Sequence, residues 1–138
     1  LERQNLDISL CKALVVDDNE TITDLVAGML TKLGLRTVYK ATNGIDAIKL
    51  FLDHKPDIVF ADFVMEEIDG VTLMKVIKIL NPNTPVVIFT GYYDRLYKRL
   101  LQEDFRPEYL IQKPSVNANN IKEALTTCLP QLEFKGKS

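Results

Sequence analysis

The chain has 138 residues, 46% of them hydrophobic and 26% charged, with a net charge of −2. Those proportions belong to an ordinary globular domain, long enough to bury about two-thirds of its unfolded surface. The near-balanced charge gives no reason for direct binding to nucleic acid or a membrane surface. No signal peptide or bilayer-spanning run is seen, so a cytoplasmic location is expected.

The first strand is Lys12-Ala13-Leu14-Val15-Val16, and it ends abruptly in Asp17 and Asp18. Two adjacent carboxylates at the end of a buried strand repel each other and are costly to bury without compensation. A helix opens at Asn19 and runs to about Lys32, with Ile22, Leu25, Val26, Met29, Leu30 and Leu33 at helical spacing and Gly34 as its stop. Leu35 to Ala41 reads as a second strand, polar enough to lie at a sheet edge. After the turn Thr42-Asn43-Gly44, a second helix places Ile45, Ile48, Phe51 and Leu52 on its buried stripe and closes at Pro56.

A third strand, from Asp57 to Ala61, delivers Asp62. The third helix covers Val71 to Leu80, between Asp69-Gly70 and Asn81-Pro82-Asn83. The fourth strand, Val86 to Phe89, ends in Thr90, and a fourth helix is expected from Tyr92 to about Glu103. Tyr109 to Gln112 forms the fifth strand and leads into Lys113; Asn119 to Leu129 forms the fifth helix. Residues 12–129 thus make the domain, flanked by an N-terminal extension (1–11) and a C-terminal tail (130–138).

Alternating strands and helices argue for an α/β fold, a doubly wound five-stranded parallel sheet with helices on both faces. Right-handed crossovers bring every strand's carboxyl end to one edge, where ligands bind in such sheets. Asp17, Asp18, Asp62, Thr90 and Lys113 therefore converge. Singly, each has a duller reading as a cap, a turn residue or a surface charge. Together they form a hard-oxygen site suited to Mg²⁺, with an amine and a hydroxyl for a phosphoryl group and a carboxylate able to form an aspartyl phosphate. Cys11 and Cys128 lack metal-ligand spacing and read as small buried side chains. His54, without a second histidine, reads as a helix-end residue.

Six motifs in order carry a resemblance. These are Leu14–Asn19, Ala41–Ala47, Pro56–Asp62, Asp69-Gly70, Pro85–Gly91 and Gln112-Lys113-Pro114. The chain resembles the receiver domain of two-component response regulators. This implies a flavodoxin-like strand order of 2-1-3-4-5, with Asp62 as acceptor of a phosphoryl group from a phosphohistidine. Mg²⁺, for which Mn²⁺ can substitute, would be held by Asp18, Asp17, Asp62 and the Val64 carbonyl. Thr90 and Lys113 would contact the phosphoryl group, and Lys113–Pro114 would be cis. The implied partners are a histidine kinase or histidine phosphotransfer protein, and a downstream protein or an output domain. A phosphorylation-dependent homodimer is also among them. The chain would act as a switch, not as a turnover enzyme.

The family pattern is broken at Glu66, where proline is usual, and at Leu110, where an aromatic switch residue is usual; Tyr109 faces the other side of the strand. Val64 and Tyr92 are expected to exclude water from the phosphorylated site. The output surface is expected to include Arg95, Lys98, Arg99 and Tyr109. Two rival readings are a phosphorylation-independent interaction module and an aspartate-nucleophile phosphohydrolase, the latter opposed by the lack of Asp-x-Asp.

Overall fold

The computed structural model describes residues 5–134. The ends of the expected extension and tail, residues 1–4 and 135–138, lie outside the described residues. In chain order the elements are β1 (Leu6–Asp7), β2 (Lys12–Val16), α1 (Glu20–Leu33), β3 (Thr37–Ala41), α2 (Gly44–His54), β4 (Ile58–Asp62) and α3 (Gly70–Leu80). There follow β5 (Val86–Thr90), α4 (Tyr93–Leu100), β6 (Tyr109–Gln112), α5 (Ala118–Cys128) and β7 (Leu132–Glu133), with one 3₁₀ turn at Ile8–Leu10.

The apolar runs of β2, β4 and β5 have both faces covered, which is why they read as continuous rather than alternating hydrophobic segments. They form the centre of a five-stranded parallel sheet in the order β3-β2-β4-β5-β6. Counted without the short β1, this is the expected order 2-1-3-4-5. On one face, Val26 and Leu30 of α1 and Ile121, Ala124 and Leu125 of α5 pack against Ala13, Val15, Ile58, Phe60, Val87 and Phe89. The other face carries α2, α3 and α4 over Leu14, Val16, Val59, Ala61, Val86 and Ile88.

Helix starts follow side-chain capping. Asn19, Asn43, Asp69 and Asn117 each accept a backbone N–H from the first turn of their helix. Gly34, at φ +126°, ends α1 in a conformation that L side chains rarely adopt, and a Cβ there would lie 2.9 Å from an Ile8 methyl.

Two helices differ from the sequence expectation. In α2 the buried residues are Gly44, Ala47 and Phe51, whereas Ile45 and Leu52 are exposed. Gly44 must lie beneath Ile68, since a Cβ would come within 2.3 Å of that side chain, and this rotation carries Ile45 and Leu52 outward. Helix α4 is shorter than expected, ending at Leu100, and only Leu96 and Leu100 are buried. Tyr92, Tyr93 and Tyr97 are exposed.

Two further features carry no signal in the sequence. Leu6–Asp7 pairs in parallel with Leu132–Glu133, joining the two flanks of the domain. Lys78 of α3 is buried and donates to the Thr84 carbonyl at 2.9 Å and to Glu108 at 2.5 Å, which compensates its charge. Both cysteines are free, with Cys11 fully buried and its thiol pushed up to about 12 by burial and the nearby Asp57. Among the described residues, no helix is long and apolar enough to cross a membrane.

Candidate functional site

The carboxyl ends of β2, β4, β5 and β6 bring the predicted residues together. Asp17 follows β2 and donates its backbone N–H to the Ala41 carbonyl, which extends the strand pairing by one residue. Its side chain is 1% exposed; one oxygen accepts the Asn19 N–H at 2.8 Å and the other accepts from Lys113 Nζ at 3.1 Å. Asp62 is the last residue of β4, 6% exposed, with Oδ1 3.3 Å from Lys113 Nζ. Asp18 is exposed, and ligand oxygens of Asp17, Asp18 and Asp62 all lie within 4.8 Å of one another.

The chain around Asp62 is held by close backbone packing. Gly70 at the start of α3 donates to the Phe63 carbonyl at 2.8 Å, and a Cβ there would sit 2.3 Å from the Asp62 carbonyl oxygen. Only glycine permits that approach. Between them runs the loop containing Glu66 and Glu67; Glu67 has φ +69°, and Val64 is 37% exposed.

Thr90 ends β5 and is buried; its hydroxyl accepts the Tyr92 N–H at 2.9 Å. Its carbonyl accepts the Lys113 N–H at 2.8 Å, so the hydroxyl and ammonium are fixed by adjoining strands. The Lys113–Pro114 bond is cis, as expected.

The electrostatics are unbalanced. Burial, with Asp17 beside it, pushes the Asp62 carboxyl up to about 6 despite Lys113. Burial likewise raises Asp17 against the opposing pull of the Asn19 N–H and Lys113. Burial disfavours the Lys113 ammonium, but Asp62 and Asp17 outweigh it and hold its pKa above the ordinary value. Three carboxylates against one ammonium leave two negative charges, and all donors are hard oxygens. That donor set fits a small divalent cation such as Mg²⁺.

Tyr92 is 54% exposed, with Arg95 5.2 Å from its ring centroid. Leu110 packs into the α2–α4 side of the core and Tyr109 into the α1–α5 side, the opposite faces expected of neighbouring strand residues. Arg99 is engaged by α3 rather than free for a partner.

The response regulator receiver domain family matches residues 13–126. The chain belongs to that family. It is 32% identical over 77 residues to chemotaxis protein CheY of Bacillus subtilis, covering 56% of this chain and 64% of that protein. Sporulation initiation phosphotransferase F of the same organism is 33% identical over 81 residues, 59% of this chain and 64% of the relative. A protein-glutamate methylesterase/protein-glutamine glutaminase of Archaeoglobus fulgidus is 40% identical over 80 residues, 58% of this chain but 23% of that protein. The chain therefore spans less than two-thirds of the length of these curated relatives. Among solved structures, a response regulator receiver domain protein from Clostridium thermocellum superposes with a TM-score of 0.79 at 26% identity, covering 88% of this chain and 96% of the other.

Proposed function

We propose that this receiver domain is a phosphorylation-operated switch in which Asp62 takes a phosphoryl group from a phosphohistidine of a histidine kinase or histidine phosphotransfer protein. A lone pair of the Asp62 carboxylate forms the O–P bond as the P–N bond breaks, and the imidazole leaves with the electron pair and takes a proton. Lys113 holds the carboxylate beforehand and then pairs with the added phosphoryl oxygens. The Thr90 hydroxyl donates to one of those oxygens. Mg²⁺, or Mn²⁺ in its place, would be held by Asp17, Asp18, Asp62 and the Val64 carbonyl, where it would neutralise charge on the transferring group.

The observation that carries this reading is one ammonium within 3.3 Å of Asp62 and 3.1 Å of Asp17, among carboxylates too crowded to be balanced by it. Phosphorylation and its loss are single events on the protein itself, not turnover of a substrate. Output passes in the cytoplasm to a downstream protein, to a second copy or to further domains of a longer chain. With a small phosphodonor and Mg²⁺, intact mass should rise by one phosphoryl group. That gain should vanish in Asp62→Asn and in excess chelator. A gain retained by Asp62→Asn would refute the assignment, and no gain in the wild type would favour a phosphorylation-independent interaction module.

A further inference from the structure

Helix α4 is weakly anchored by its own sequence. It has eight residues, no side-chain cap at its start and two buried leucines, whereas α3 buries six residues. What fixes it laterally is a group of charges shared with α3. Arg99 reaches Thr72 Oγ1 at 3.2 Å and Asp69 at 3.7 Å, and its guanidinium also pairs with Glu103 just beyond the helix. The second oxygen of Glu103 lies 3.0 Å from Lys75 of α3. The Glu103 side chain is 12% exposed, and hydrogen bonding to Lys75, with Arg99 adjacent, holds its carboxyl below the ordinary value despite desolvation.

This cluster touches the phosphoacceptor loop. Asp69 caps α3 through the Thr72 N–H, and the next residue, Gly70, bonds to the carbonyl of Phe63, the neighbour of Asp62. A short chain of contacts therefore runs from α4 through Arg99, Asp69 and Gly70 to the end of β4. Leu110 supplies no aromatic ring to couple the site to this surface.

We propose that the Arg99–Glu103–Lys75–Asp69 cluster is a latch holding α4 in the resting arrangement, and that phosphorylation of Asp62 works against it. The inference rests on the reading of Asp62 as phosphoacceptor. A contact made in one of two states biases their equilibrium by its own free energy, and the coupling is reciprocal. Weakening the latch therefore makes Asp62 easier to phosphorylate.

The test is the concentration of small phosphodonor that half-saturates phosphorylation at steady state in excess Mg²⁺. Arg99→Ala and Glu103→Gln should each lower it about two- to fivefold, the scale of a partly exposed ion-pair group. Lys32→Ala, which removes a solvent-facing charge from α1, should leave it unchanged. Hydrogen exchange at the Leu96 and Leu100 amides should accelerate in both latch variants, and added salt should shrink their difference from wild type. Unchanged half-saturation and unchanged exchange in both variants would overturn the latch. A wild-type chain that takes no phosphoryl group would instead defeat the reading beneath it. Glu103→Gln is close in shape to the native residue, so it decides the matter if Arg99→Ala folds poorly.

Discussion

Asp62 sits in a resting state that its ionised form does not favour. Its folded pKa, pushed up to about 6, lies well above the ordinary carboxylate value, because burial and Asp17 oppose the charge. A raised folded pKa means that the folded state binds the proton more tightly. Its contribution to stability is present below about pH 4 and is lost as pH rises through about pH 6. Asp62→Asn should therefore stabilise the metal-free protein near neutral pH, by on the order of 2 kcal/mol, with the gain fading toward about pH 4. Thermal melts in chelator across that range would show it, and a gain that grew on acidification would contradict the sign. At this scale the acids, Thr90 and Lys113 were legible because each follows an apolar strand run. Arg99 and Glu103 were not: their partners lie on α3, brought near only by packing.

At the scale of elements, caps and strand runs were the readable signals. Asn19 and Asp69 marked helix starts that the structure keeps, and the apolar runs of β2, β4 and β5 became covered strands. The face of α2 was less legible because three large aliphatic residues competed with the glycine and alanine that meet its neighbours. Ile45 and Leu52 had hydrophobicity on their side, but close approach at Gly44 decided the rotation. A similar close approach at Gly70 gives a direct prediction. Gly70→Ala puts a methyl against the Asp62 carbonyl and should cost about 1–3 kcal/mol, read as a lower urea midpoint. It should also slow phosphorylation, since the displaced backbone carries Asp62, the proposed acceptor. A variant as stable and as readily phosphorylated as wild type would show that the contact relaxes freely.

For the whole molecule, alternation of strand and helix predicted a parallel sheet and one functional edge, and the observed strand order places them there. The β1–β7 pairing escaped prediction because two-residue strands carry no usable period and their partner lies at the other end of the chain. The same architecture singles out Asp62, since the ends of β2 and β6 bring Asp17, Asp18 and Lys113 to the end of β4. Reductive trapping of the acyl phosphate, followed by peptide sequencing, tests it most directly. After loading with a small phosphodonor and Mg²⁺, the reduced residue should be Asp62, in wild type and in Asp17→Asn alike wherever phosphorylation is detected. Trapping at Asp17, Asp18 or any other residue would contradict it.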